Sequence, residues 1–229
     1  MTITLYDLAG ADPDLRFSPF CWRTKMALAH KGLAVETVPW RFTEKDRIAF
    51  SGQGRVPVLV DGERVVWDSW TIAEYLEDTY PERPSLFSGP GGRAHARFIN
   101  AWADTALHPG ILRMIVRDIL DVIAHQDRDY FRSSRESRLG ASLEAVATGR
   151  EGRLPAWRET LAPVRQVLQA RPFLGGEEPT YADYILFGTL QWSRCVSRFA
   201  LLAEDDPVAA WFARVGGLHG GIGAAARMA

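Results

Sequence analysis

The chain of 229 residues predicts an α/β domain followed by an all-α domain. Three observations point there. The first eighty residues switch between the two-residue period of strands and the longer period of helices. Residues 81–93, "PERPSLFSGPGGR", are rich in proline, glycine and serine and read as a linker. Everything beyond carries helical periodicity, and a hydrophobic content of 47% suffices for one large core or two modest ones.

The order of elements follows from local signals. "TITLY" alternates with Ile3 and Leu5 on one face, as a half-buried strand does. After a loop with Gly10, Asp12 and Pro13, Ser18 is placed as N-cap and Pro19 as first helical residue, where its missing N–H costs nothing. Trp22, Met26 and Ala29 share a face of this helix, predicted over about 19–31, and Gly32 supplies a left-handed stop. "LAVETVPW" is a second strand, and because a helix crosses between them the two strands run parallel. There is room for a short helical segment before the next strands, "VPVLV" and "RVVW", which pair antiparallel across a turn at Asp61 and Gly62. Asp68 and Ser69 then cap a helix, "SWTIAEYLEDTY", that ends before Pro81.

In the second domain, Phe98 and Trp102 precede a break expected near Pro109, and Ile111, Ile115, Ile119 and Val122 form the next stripe. A charged, arginine-rich stretch over 130–147 reads as one more exposed helix, and 155–170 as another with Leu161, Val164 and Leu168. In "EPTYADYILFGTLQWSR", Thr180 and Asp183 form a capping box with Asp in place of the usual Glu. The segment after it is apolar on nearly all sides, so it is expected to be the buried central helix.

Charge and cysteine content narrow the function. Lys and Arg total 27 against 28 Asp and Glu, so no overall field draws the chain to nucleic acid or to an anionic membrane surface. The greasiest stretch, Ile111 to Ala124, is interrupted by Arg113, Arg117, Asp118 and Asp121, short of the ~20 apolar residues of a membrane span. "MTITLYDLAG" lacks the layout of a secretory signal. With only Cys21 and Cys195, a disulfide scaffold is not expected and a reducing cytoplasm is. No His or Cys spacing points to a metal.

A β-α-β then β-β-α unit with "SPFC" at its first helix, "VPVL" before its hairpin and "DS" at its last cap, followed by helices carrying T-x-x-D, resembles the glutathione transferase superfamily over nearly the whole chain. Within it, "FSPFCWRTKMALAHKGL" and the hairpin-to-helix stretch resemble the bacterial β-etherase and fungal etherase-related branch, with the zeta class next. The resemblance implies a thioredoxin-like domain with a mixed four-stranded sheet over 1–80, a helical substrate domain over 94–229, and a homodimer. It also implies glutathione as co-substrate and a small hydrophobic second substrate.

Glutathione is a thiol tripeptide, only a few per cent thiolate at neutral pH, and the thiolate is the nucleophile. A helix N-terminus offers N–H donors and positive potential to such an anion. The resemblance places the thiolate stabiliser on Ser18; taken alone, Ser18 is simply an N-cap. "SPFC" is C-x-x-C with serine at the exposed position, which removes dithiol chemistry, and Cys21 is either a packing residue or a lone thiol for glutaredoxin-like transfer. Pro57 is a strand-edge proline on its own, and by resemblance follows a cis bond that lets the Val56 backbone pair with the cysteinyl unit. Asp68 and Ser69 are helix caps on their own, and by resemblance hold the γ-glutamyl ammonium and carboxylate. Arg41, Lys45 and Arg55 compete for the glycyl carboxylate, with Arg55 foremost. Trp102, His108 and Tyr130 are the candidates for the electrophile's pocket, His108 also as a proton donor to a leaving group or as a structural histidine. A non-catalytic glutathione- or ligand-binding protein is the alternative from another class.

Overall fold

The structure, a computed structural model, describes residues 2–229. Its first domain is built from β1 (Ile3–Leu8), α1 (Pro19–His30), β2 (Val35–Trp40), β3 (Val58–Asp61), β4 (Arg64–Trp67) and α2 (Ser69–Thr79), with a 3-10 segment over Lys45–Ser51 before β3. The sheet has the order β2-β1-β3-β4. β1 runs parallel to β2, Ile3 facing Val35 and Leu8 facing Trp40, while β3 is antiparallel to both β1 and β4. This is the mixed four-stranded sheet of the thioredoxin-like fold. The parallel pair follows from the α1 crossover, and the antiparallel pair from the turn at Gly62, whose φ of 58° a side chain would strain.

The helical domain contains α3 (Pro90–Trp102), α4 (His108–Val122), α5 (Arg128–Leu139), α6 (Leu143–Ala147), α7 (Arg150–Glu159), α8 (Ala162–Leu168), α9 (Tyr181–Val196) and α10 (Pro207–Gly216). α3 starts at Pro90, inside the stretch expected to be linker. No break occurs at Pro109. A wide π turn over Ala103–Leu107 joins α3 to α4 instead, so the amide that Pro109 lacks falls in the first turn of α4. The stretch expected as one helix over 130–147 is two, divided by Gly140 at φ 71° and restarted by Ser142, whose Oγ accepts from the Ala145 amide. The 155–170 stretch is also divided, into α7 with Pro155 inside it and α8 beginning after Leu161. Among the described residues no helix is long and apolar enough to cross a membrane.

α9 is the central helix, buried on nearly every side. Its capping box is complete: Asp183 accepts from the Thr180 amide at 3.0 Å, and also from Leu174 and Gly175 amides and the Trp211 indole. α9 lies against α1. They come close because Gly188 has no side chain; a Cβ there would stand 2.4 Å from the Pro19 carbonyl oxygen. The start of α1 is thereby set by the helical domain.

Candidate functional site

The beginning of α1 opens into a cavity of about 710 Å³ between the two domains, a volume usual for small-molecule sites. From the sheet domain, Ser18, Phe20, Lys45, Arg55 and Val56 line it; from the helical domain, His108, Arg113, Tyr130, Arg135 and Trp192 do.

Ser18 is 4% exposed, and its Oγ accepts from the Cys21 amide at 3.2 Å. That bond occupies a lone pair and leaves the hydroxyl proton available, so capping the helix and donating to a ligand are compatible. Pro19 has no N–H and the Cys21 N–H is used, which leaves the amide of Phe20, a residue of the cavity wall, as the unspent donor of the first turn. The Val56–Pro57 bond is cis.

Of the other predicted site residues, Arg55, Val56, His108 and Tyr130 lie in the cavity wall, and Arg41, Asp68, Ser69 and Trp102 do not. Arg41 is committed elsewhere: Nε donates to the Gly10 carbonyl at 3.1 Å, Nη2 to Ala11, and Nη1 pairs with Glu44 at 3.3 Å. It ties the β1–α1 loop to the turn after β2. Lys45 takes the place in the cavity that Arg41 leaves, its Nζ donating to the Gly54 carbonyl at 2.7 Å and standing over the Trp40 and Tyr130 rings. Trp102 packs into the core at the end of α3. Asp68 caps α2, its Oδ1 accepting from the Trp70 and Thr71 amides, at a φ of 72° that a side chain rarely adopts; Ser69 beside it is 2% exposed. Such strain in a non-glycine residue is concentrated at functional sites.

His108 is held in a buried polar network. Its Nε2 lies 3.0 Å from Thr189 Oγ1 and 3.3 Å from Arg23 Nη2, and Phe20 stands edge-on to the ring at 5.3 Å. Burial, and after it the positive charge of Arg23, push its pKa down to about 3. The ring is neutral at physiological pH and has no second proton to give a leaving group. Cys21 is fully buried, and burial, then the negative charge of Asp7, push its thiol well up; Cys195 is likewise raised by burial to about 11. Neither is poised as a thiolate, and the lone-thiol use of Cys21 is disfavoured.

Three features of the cavity escaped the sequence reading. The arginine-rich α5 turns Phe131, Arg135 and Arg138 inward. Trp40 and Phe42 form an aromatic wall with Phe131, the Phe42 and Phe131 ring centres 5.5 Å apart. Asp127, fully buried, accepts from the Phe42 amide at 3.3 Å and the Thr43 amide at 2.9 Å, so the helical domain holds the sheet-domain loop that leads to Lys45.

A thioredoxin-like domain docked on an all-helical one, with a serine-capped helix end opening into the cavity between them, defines a two-domain thiol transferase architecture. Two family models match the chain: glutathione S-transferase, N-terminal domain, over residues 17–79, and glutathione S-transferase, C-terminal domain, over residues 94–215. The chain belongs to the glutathione S-transferase family. Among its relatives, a probable glutathione S-transferase GSTU6 of Oryza sativa subsp. japonica is 27% identical over 208 residues, 85% of this chain and 78% of that protein. A zeta-class glutathione S-transferase of Euphorbia esula is 30% identical over 141 residues, 58% of this chain and 61% of that one. Glutathione transferase GSTFuA3 of Phanerochaete chrysosporium superposes with a TM-score of 0.83 at 25% identity, covering 94% of this chain and 96% of the other.

Proposed function

We propose that the chain activates glutathione as a thiolate at Ser18 and delivers its sulfur to an aromatic electrophile held between α4, α5 and the α1 N-terminus. The observation that carries this reading is the buried Ser18 hydroxyl on the cavity wall, its proton uncommitted, beside the free amide of the first helical turn. A hydroxyl and an N–H aimed at sulfur stabilise the anion over the thiol, and each unit of thiol pKa depression corresponds to ~1.4 kcal/mol of that preference. The Val56 backbone pairs with the cysteinyl unit, Asp68 and Ser69 take the γ-glutamyl end, and Arg55 with Lys45 takes the glycyl carboxylate. The first eighty residues thus bind glutathione, and those from 94 onward the second substrate.

In the reaction the thiolate forms a carbon–sulfur bond as the leaving group departs with its electron pair, and the thiol proton has already gone to solvent. In β-aryl ether cleavage that leaving group is an aryloxide, the branch reading suggested by the motifs. With His108 neutral, solvent protonates it. The reading places the enzyme in the cytoplasm as a homodimer, in which a second copy covers exposed apolar side chains such as Phe50, Trp67 and Phe98.

Conjugation of a chlorodinitrobenzene tests the assignment. Ser18→Ala is expected to lower kcat about a hundredfold, the usual loss when one donor to a developing or stabilised anion is removed. The ultraviolet absorbance of bound thiolate should titrate at higher pH in the variant. Full activity with an unshifted titration would take Ser18 out of the mechanism.

A further inference from the structure

Among the described residues the charged ones lining the cavity are Lys45, Arg55, Arg113, Arg135 and Arg138, with no aspartate or glutamate. Among the described residues none of the five has a carboxylate within ion-pair distance, although ion pairs are frequent elsewhere in the molecule. The contrast holds within single helices. On the outer side of α5, Arg132 pairs with Glu136 at 2.7 Å and Glu144 at 2.8 Å, while Arg135 and Arg138 on the inner side pair with neither. On α4, Arg117 pairs with Asp121 at 2.9 Å while Arg113 does not.

Arg135 is the best defined of these. Its guanidinium lies 4.6 Å from the Phe131 ring centre and 5.1 Å from that of Phe42, and Nη1 donates to Ser134 Oγ at 2.9 Å. Aromatic faces fix the plane of the fork and leave further N–H groups unspent, the arrangement suited to a carboxylate taken by two parallel bonds. Burial and the like charges of Arg138 and Arg55 disfavour its charged form in the free protein, and a bound anion relieves both.

Glutathione does not account for all five cations. Lys45 and Arg55 belong to the sheet-domain wall beside Val56 and suffice for its glycyl carboxylate, whereas Arg113, Arg135 and Arg138 belong to the helical wall where the electrophile is held. We propose that the second substrate is an aromatic carboxylate, its carboxylate bound by Arg135 with Arg138, and its ring against the Phe42, Phe131 and Tyr130 side chains. The reaction rests on the transferase reading above; the binding does not.

Two measurements test it. The first is kcat/KM with a chlorodinitrobenzoate against its neutral methyl ester. In both, sulfur bonds to the ring carbon bearing chlorine and chloride leaves with the electron pair. The ester is the more electron-withdrawing substituent and the more reactive toward thiolate in solution, so a preference for the carboxylate, taken relative to the solution rates, comes from the site. The protein should prefer the carboxylate about tenfold or more, the effect of one charge-assisted contact at ~1.4 kcal/mol per factor of ten. Arg135→Gln should abolish that preference, and Arg132→Gln, on the outer side of the same helix, should retain it. The second is calorimetric titration with dinitrobenzoate, which has no leaving group, into the protein and both variants. If nothing is turned over but dinitrobenzoate binds and weakens about tenfold in Arg135→Gln alone, the anion site stands and the transferase reading falls. If both electrophiles are conjugated equally well and Arg135→Gln changes neither ratio nor binding, or Arg132→Gln changes them as much, the anion site is overturned and the transferase reading stands.

Discussion

Arg23 Nη2 donates to Asp104 Oδ1 at 2.8 Å, joining the middle of α1 to the π turn between α3 and α4. The Arg23 side chain is fully buried and Asp104 about one-third exposed, its relative accessibility being 35%. The other guanidinium contacts go to Asn100 Oδ1 at 3.0 Å, Thr189 Oγ1 at 3.3 Å and His108 Nε2 at 3.3 Å, so one side chain bridges α1, α3, α4 and α9.

The cost of breaking this pair falls mainly on the arginine. Asp104→Ala leaves a buried guanidinium without its counter-charge, which should destabilise by about 3 kcal/mol, the low end for a buried pair because Asp104 is partly solvated. Arg23→Met should also destabilise, since it removes partners of Asn100 and Thr189. In the double variant the two losses overlap, and a double-mutant cycle from urea denaturation should give a coupling of at least about 1 kcal/mol. Additive losses would show that the two groups do not act as a pair.

Most of the fold is readable from neighbours a few residues apart, and most of what is not readable depends on partners far along the chain. Ser18, Pro19, Asp68 and the Thr180–Asp183 box announce themselves through short-range capping chemistry, and Val56–Pro57 through the resemblance of its motif. Arg23 sits on a helix face that gives no sign of partners 77 to 166 residues away. Asp127 reaches the Phe42 and Thr43 amides 85 and 84 residues back, beyond any periodicity. Arg135 was hidden for a different reason. An arginine-rich helix reads as a solvated face; Glu136 at i+4 from Arg132 is a local hint that Arg132 differs from Arg135 and Arg138, but only the fold shows that those two face the cavity and that Glu144 joins Arg132 from i+12. Arg41 and Lys45 illustrate the limit from the other side: both are cations just after β2, and only the folded loop shows that Arg41 is spent on Gly10 and Ala11.

Stability should fall between pH 6.5 and pH 5 because of histidines. His108 has its pKa pushed down to about 3, and burial lowers His30 and His219 as well. Between the folded value and the ordinary ~6.5 of an unfolded histidine, the unfolded chain binds the proton and the folded one does not, so stability rises with pH across that interval and is lost on acidification. For His108 alone the slope approaches ~1.4 kcal/mol per pH unit below pH 6.5. The lowered carboxylates, Glu44, Glu77 and Asp206, act in the same direction but below the ordinary glutamate and aspartate range, and Asp183, raised by burial, acts in the opposite one. Comparing the protein with His108→Gln isolates the histidine: urea denaturation at pH 7, 6 and 5 should show a shallower decline in the variant. Parallel declines would mean that His108 is already protonated in the fold.

Gly188 sets where the N-terminal end of α1, with Ser18 before it, lies. A Cβ at this position would be 2.4 Å from the Pro19 carbonyl oxygen and 3.1 Å from the Arg23 backbone nitrogen and Cγ. Two of those three atoms are backbone, so the clash cannot be relieved by a rotamer change, and α1 must move away from α9. Pro19 follows Ser18 directly, and a displaced first turn moves both the hydroxyl and the Phe20 amide relative to Val56 and Arg55 across the cavity. Gly188→Ala should therefore destabilise by about 1–3 kcal/mol through overpacking and, in the fraction that remains folded, raise KM for glutathione and lower kcat together. Gly152, inside α7 with open space for 4 Å around the point a Cβ would occupy, is the matched control. Gly152→Ala should be neutral or stabilising by up to about 1 kcal/mol, with kinetics unchanged, because it only removes backbone freedom from the unfolded chain. Loss of stability in Gly188→Ala with unaltered kinetics would show that α1 keeps its position while α9 gives way, and that the cavity does not depend on this contact.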